Sequence, residues 1–569
     1  MRTRLRIFGV VFGISVIALV ARLFFWQVIK AGELTRQGQT QYQRSSSVNA
    51  KRGNILAVDG SALVADENDW VIYAMKSELK DGYRTIANKL ALLLVSDPND
   101  HDLLLTEAQR IEGVLGQKGV WLPIAHRVGN DVKKNIEALG IPGIGFDAEA
   151  ARAYPEGSSS AHLLGFVGKD TDGADKGYFG LEGFYDLTLA GKPGFVNRES
   201  DAKGIPILFG NSKEINATQG VDLVTNIDKT VQLTVERELA DGMELYGAKG
   251  GTVIVMNPQN GAILAMASVP SYDPAKYWEG SNDDFKDPAI ADTFEPGSVF
   301  KPIVMASALD AGVIEPETIC DICDGPVHVD KYEIDTWNKE YHPDSTMKDV
   351  IVNSDNVGMV FVGNKLGADK LYDYLDKFGL GKSTGIDLQG EVSVGLRKKG
   401  TWNVVDLATT TFGQGIALTP IQMLRAIGII ANGGRIVKPE VVRQIKSGEW
   451  TSDIKPKIGE QVISKEAASQ ITQMMVAAVK AGEAKWAAPA GFKVAGKTGT
   501  AQIPIAGHYD PTKTIASFVG FAPADDPKFV MLVTLRQPSS SIWGSETAAP
   551  LWFNIAKDLF PYLGIQPEN

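Results

Sequence analysis

Apolar residues crowd the first thirty positions of the chain and then thin out abruptly. After Arg2, Arg4 and Arg6 comes IFGVVFGISVIALVA, residues 7–21, and after Arg22 comes LFFWQVI, residues 23–29. A helix needs about 20 apolar residues to cross membrane hydrocarbon. Residues 7–29 suffice if Arg22 and Gln27 reach back to one interface. From about 36 to 245 the pattern is polar, Gly-rich and broken into short runs. KRGNILAVDGSALV, residues 51–64, sets an Asp-Gly turn between two apolar runs and predicts a hairpin. Residues 175–194 are turn-rich around one short amphipathic piece. At 220–248 the period changes. A short strand leads to Asp228 as an N-cap, then to Val231, Leu233, Val235 and Leu239 on a helix.

A different pattern opens at GGTVIVMNPQNGAILAMASVP, residues 250–270, where two β-branched and apolar runs flank a Pro-Gln-Asn-Gly turn. It returns near the C-terminus as three strand patterns, 492–503, 514–524 and 528–535, followed by a helical one at 547–563. Between these lie helical patterns at 298–312, 346–366, 369–378, 404–431 and 464–481, and a polar stretch, 270–293, that reads as a surface loop near the site. A sheet built from both ends of a segment around a helical insert is α+β. The expected division is an anchor at 1–35, a mostly-β platform at 36–245 and an antiparallel sheet flanked by helices at 246–569.

The chain has 569 residues, too many for one core. Its net charge of −11 argues against nucleic acid as a partner, because phosphate binding needs a basic face. The basic residues before the apolar run and Trp26 near its far end suit a cytoplasmic N-terminus and an interfacial aromatic. A cleaved signal peptide is the competing reading. The run is long for one, and no small-x-small site follows it. Everything after roughly residue 35 should therefore lie outside the cytoplasm.

Candidate chemistry begins at FEPGSVFKP, residues 294–302, where Ser298 and Lys301 stand one turn apart at the mouth of an apolar helix. The spacing alone proves nothing, since Ser77, Ser200, Ser345 and Ser452 also precede a lysine by three. Two further patterns follow in order, Ser354-Asp-Asn356 and Lys497-Thr-Gly-Thr500, with decoys at Ser47-Val-Asn49 and Lys446-Ser-Gly448. The setting separates them. Ser298 opens a helix, Ser354 lies within a helical pattern and Lys497 lies in an alternating strand, whereas Lys446 reads as a surface turn. Together the three patterns resemble those of active-site-serine acyl transferases.

These motifs and their flanks resemble the class B penicillin-binding proteins, monofunctional peptidoglycan D,D-transpeptidases with a pedestal domain ahead of a serine β-lactamase-like catalytic domain. Residues 52–60, 152–170 and 180–194 resemble the pedestal motifs, 223–228 with Gln232 and Glu236 the join, and 411–423 a segment near the active site. FEPGSVFKP and residues 168–186 look most like the division-specific branch. The resemblance implies that Ser298 is acylated by the penultimate D-alanine of a stem peptide and that Lys301 takes its proton. Ser354 would bridge Lys301 and Lys497, and Asn356 would hold the substrate amide. Gly499 would keep the strand bare for an added peptide, with Thr498 and Thr500 at the terminal carboxylate. The N–H groups of Ser298 and Thr500 would form the oxyanion hole. A free lysine is neutral about once in 2,500 at pH 7, so Lys301 must be shifted by burial and by Lys497.

The implied ligands are stem peptides and β-lactams. The implied partners are a membrane-embedded SEDS-type glycan polymerase and other division proteins. No metal or organic cofactor is called for. An elongation-type transpeptidase is the first alternative. A β-lactamase would need a deacylating base that no motif supplies, and a β-lactam receptor a signalling partner. Cys320 and Cys323 read either as a short disulfide or as two thiols; with His328 and His342 a zinc site is conceivable, though the spacing matches no closed four-ligand pattern. Arg52 and Glu182 read as structural ion-pair partners.

Overall fold

The computed structural model describes residues 2–48, 50–199, 212–505 and 508–568. Contacts divide the chain into two compact units: residues 1–52 with 190–220, and residues 53–189 with 221–569. In the first unit, Arg2–Phe24 is helical and continues through a π-turn, Phe25–Ile29. The 28-residue span Arg2–Ile29 has a mean hydropathy of 2.4 over its most apolar window and no buried residue within it. Its length exceeds the about 20 residues that a crossing requires, and among the described residues it is the one helix of that kind. Strand Gln43–Val48 pairs with Gly194–Glu199, which pairs with Ser212–Ile215.

The second unit opens on the hairpin expected from Asp59-Gly60. Ile55–Leu56 runs antiparallel to Ala62–Met75, and Gly60 adopts φ +86° in the turn. Ala62–Met75 also pairs with Trp121–Val128 and Ile144–Ala153. Helices Tyr83–Leu94 and His101–Gly116 cover this sheet through Ile86, Leu90, Ile111 and Leu115. Their apolar residues recur every three to four positions, so this part of the platform carries helices besides its strands. A hairpin from far along the chain, Val442–Ser447 and Trp450–Asp453, joins the same sheet on Asp222–Thr225. Its turn is the decoy Lys446-Ser-Gly448, so that motif is spent on a bend.

Glu182 is fully buried, and Arg152 pairs with it at 2.8 Å. The guanidinium also reaches Asp66 at 2.7 Å and the Gly53 carbonyl at 2.6 Å. Cys320 and Cys323 form a disulfide with Cα atoms 5.6 Å apart, which consumes both thiols that a zinc site would need. Among the described residues no group of three or more His, Cys, Asp or Glu is arranged to hold a metal. The stretch 270–293 runs over the surface in turns and short helical pieces, tied down where Tyr272 and Phe285 close an aromatic cluster around Phe166.

The catalytic sheet has strands β1 (Gly250–Met256), β2 (Ile263–Val269), β3 (Ala495–Ile505), β4 (His508–Ala522) and β5 (Phe529–Arg536), in the antiparallel order β2-β1-β5-β4-β3. The helices that matter here are α1 (Lys229–Tyr246), α2 (Lys301–Asp310), α3 (Asn356–Leu366), α4 (Pro420–Ala431), α5 (Lys465–Ala481) and α6 (Ala548–Tyr562). The alternation of a strand divides its side chains between two cores. Val253, Val255, Met531 and Val533 face α1 and α6. Ile254, Met256, Val530 and Leu532 join the core built on α2, α4 and α5. Asp228 caps α1 as the sequence implies, accepting from the N–H groups of Thr230 and Val231. β3 ends the sheet order, so among the described residues its outer edge carries no neighbouring strand.

Two helical patterns break. Residues 404–431 divide into Val404–Thr411 and α4, because Gly413 and Gly415 take positive φ between them. Residues 346–366 divide into Met347–Val352 and α3, with consequences for the site.

Candidate active site

Pro296 and Gly297 turn the chain so that residues Gly297–Phe300 form a 3₁₀ turn leading into α2. Gly297 sits at φ +57°, and a Cβ there would lie 3.1 Å from the Thr500 carbonyl. The Ser298 turn thus presses directly on β3. Ser298 is half-buried, while Lys301, one turn on, is completely buried.

Ser354 lies in the break ahead of α3 and not within a helix. The Asp355 side chain accepts from the N–H groups of Val357 and Gly358, which starts a new helix and forces Ser354 to φ +56°. A left-handed backbone costs an L-residue about 1–2 kcal/mol. Such strain at a functional position persists because the surroundings hold it.

The break puts Ser354 between the two lysines. Lys301 Nζ lies 2.5 Å from the Ser354 carbonyl, 3.3 Å from Ser354 Oγ and 2.8 Å from Asn356 Oδ1. Lys497 Nζ donates to Ser354 Oγ at 2.9 Å. Above them is a cleft of about 110 Å³ whose walls include Ser298, Ser354, Asn356, Thr498, Gly499 and Thr500. All eight residues singled out from the sequence therefore meet: six line the cleft, and the two lysines bond to it from below.

Burial, followed by the charge of Lys497, lowers the pKa of Lys301 to about 7, with Asp355 and Glu483 opposing. Burial also lowers that of Lys497, opposed by Glu483. Desolvation disfavours each ammonium, and two neighbouring cations disfavour each other.

Gly499 carries a constraint beyond the expected one. A Cβ there would lie 2.8 Å from Val299 Cγ1 and 3.0 Å from the Val299 nitrogen. Its bareness lets β3 touch the Ser298 turn, a constraint from inside the fold. The Thr500 hydroxyl accepts from the Gly544 N–H at 2.9 Å. Sequence reasoning passed over Glu483, Trp337 and Trp543, which also line the cleft. The two indoles meet edge to face at 5.2 Å. No local pattern marks any of the three.

Residues 251–560 match the family model described as the penicillin binding protein transpeptidase domain, and residues 47–225 match the penicillin-binding protein dimerisation domain. The chain is 33% identical to stage V sporulation protein D of Bacillus subtilis, over 99% of this chain and 86% of that one. It is 29% identical to the peptidoglycan D,D-transpeptidase FtsI of Escherichia coli K12, over 97% and 90%. A peptidoglycan synthetase from Bifidobacterium adolescentis superimposes with a TM-score of 0.72 at 26% identity, covering 93% of this chain and 98% of that one. Penicillin binding protein 2X of Streptococcus thermophilus, at 24% identity, shares the fold with a TM-score of 0.75 over 92% and 83%. The chain belongs to the penicillin-binding protein transpeptidase family.

Proposed function

We propose that the protein is a peptidoglycan D,D-transpeptidase of septal wall synthesis, working through an acyl-enzyme on Ser298. One observation carries this reading: a half-buried serine hydroxyl shares a cleft with a second serine that is bonded to two buried lysines. Neutral Lys301 takes the Ser298 proton as the Oγ–carbon bond forms at the penultimate D-alanine. The N–H groups of Ser298 and Thr500 receive the oxyanion, a type of donor worth about 10²–10³ in rate. Ser354 gives its proton to the leaving nitrogen and is reprotonated from Lys301 as the carbon–nitrogen bond breaks. The amine of a second stem peptide then attacks the ester and returns a proton, freeing Ser298. Asn356 and the outer edge of β3 hold the donor as an added strand, while the hydroxyls of Thr500 and of Thr498, turning from Glu483, receive its carboxylate. β-Lactams acylate the same hydroxyl.

The proposed division is an anchor at 1–35, a pedestal at 36–245 and a catalytic domain at 246–569, supported by the apolar helix and the two family matches. The N-terminus lies in the cytoplasm and the catalytic domain outside the cytoplasmic membrane, with a SEDS-type glycan polymerase and other division proteins as partners. The septal assignment is supported by the FEPGSVFKP form and by relatives named FtsI. Intact mass after labelled penicillin, with peptide mapping, tests the reading. A stable adduct is expected within residues 294–302. A label elsewhere overturns the site, and rapid release of hydrolysed drug makes the protein a β-lactamase.

A further inference from the structure

Glu483 stands in the wall of the cleft, and its backbone is pinned from both sides. A Cβ on Gly482 would lie 2.5 Å from the Ala478 carbonyl and 2.9 Å from the Val352 carbonyl. Ala484, on the other side, is 2% exposed in the core that backs the sheet. The carboxylate is therefore delivered to the cleft by packing, unlike a side chain on a free loop.

Its neighbours form a chain of hydrogen bonds with one consistent direction. The Thr498 hydroxyl donates to Glu483 Oε2 at 3.4 Å. Lys497 Nζ donates to that hydroxyl at 3.2 Å, to the Thr498 carbonyl at 3.2 Å and to Ser354 Oγ at 2.9 Å. A carboxylate only accepts and an ammonium only donates. Thr498 must then point its proton at Glu483 and its lone pair at Lys497, whose three protons are all placed.

Ser354 Oγ accepts from Lys497, so its own proton is free to turn toward Lys301. The other two partners of Lys301 are oxygen acceptors, the Ser354 carbonyl and Asn356 Oδ1. Two N–H groups and one lone pair satisfy all three contacts, so a neutral amine is accommodated here with no bond lost. The charged groups acting on the pair are the lysines themselves, Glu483, and Asp355 at the cap of α3.

Resting on the transpeptidase reading above, we propose that Glu483 is a positioning residue for the reaction. Acting through the Thr498 hydroxyl, it holds Lys497 as the cation of the pair and leaves Lys301 as the proton acceptor. Without an anion at this place the two amines compete on nearly equal terms for one charge, and the serine relay loses its direction.

The test is the second-order rate of Ser298 acylation by a fluorescent penicillin, measured on the full chain from pH 5.5 to 9.5. Glu483→Gln keeps the size of the side chain and removes its charge. Both lysines then give up protons more readily, so both limbs of the profile move to lower pH. The ratio of the rate at pH 6 to that at pH 9 should rise about tenfold. Glu483→Asp keeps the charge and should return the profile toward that of the native chain. A Gln variant that folds, acylates and superimposes on the native profile overturns the proposal, since a merely structural acid would behave that way. If Gln destabilises the fold, an Asp variant whose ratio of rates at pH 6 and pH 9 rises about tenfold over the native chain overturns it equally. Failure of the underlying reading looks different: the native chain would form no adduct on Ser298 at any pH.

Discussion

The depressed pKa of Lys301 makes the most exacting prediction. A lysine in water titrates near 10.5, and this one is brought to about 7. At about 1.36 kcal/mol per unit, the fold disfavours its charge by about 5 kcal/mol. At pH 7.5 roughly three quarters of the Lys301 amines are then neutral, against roughly one in a thousand for the free side chain. On the proposed mechanism the neutral form is the base, so the acylation rate rises with pH through about 7, ahead of the fall that follows when Lys497 gives up its proton. Stopped-flow acylation by a fluorescent penicillin between pH 5 and 9 measures that limb. Lys301→Arg keeps a cation whose pKa exceeds about 12 and should slow acylation by roughly 10³-fold at every pH in the range. The same shift links to stability. The unfolded lysine holds its proton up to about 10.5, so the unfolded state binds more protons above pH 7, and this group's contribution to stability rises from there toward 10.5. A flat rate profile, a limb near 10, or an arginine variant acylating at the native rate would refute the assignment of Lys301 as base.

Three further outcomes are expected. Gly499→Ala places a methyl group against the Val299 backbone, which cannot yield as a side-chain tip would. Overpacking of this kind costs about 1–3 kcal/mol, and a displaced nucleophile turn should slow acylation by about 10²-fold in a chain that still unfolds cooperatively. Arg152→Met removes the buried guanidinium that Asp66 and Glu182 share and should destabilise the second unit by about 3–5 kcal/mol in denaturant unfolding. Removing Arg2–Ile29 should move the protein from the membrane pellet to the supernatant while acylation stays within about twofold, because the span lies well outside the catalytic sheet in the sequence.

The elements legible in the sequence are those whose cause is local. Asp228 announces α1 because a cap needs only the next two or three N–H groups. The hairpin of β1 and β2 follows from its turn and from apolar runs long enough to form both faces. The break at Ser354 was not legible, since apolar spacing runs through it and the decision rests on the Asp355 cap prevailing over a continuous helix. Nor could the sequence say that the hairpin at 442–453 would complete a sheet begun at residue 55, because a strand's partner is chosen by surfaces far along the chain. Glu483, Trp337 and Trp543 escaped for the same reason. Each reaches the cleft by tertiary packing, and each sits in a stretch with no pattern of its own.

The site residues were legible for a different reason, and that reason limits what they meant. Ser298, Lys301, Ser354 and Lys497 are read as chemistry because hydroxyl and amine are scarce tools for acyl transfer. What makes them a site is how closely bare backbones approach. A Cβ on Gly413 would lie 2.2 Å from the Gly297 carbonyl, and one on Gly499 would strike Val299. Segments more than a hundred residues apart thus meet at the nucleophile turn with no side chain between them. Spacing cannot encode that contact, so a sequence can carry all three motifs and still fail as an enzyme if one of these glycines gains a methyl group. Chemistry and placement are separate requirements here, and the second is written in residues that have no chemistry at all.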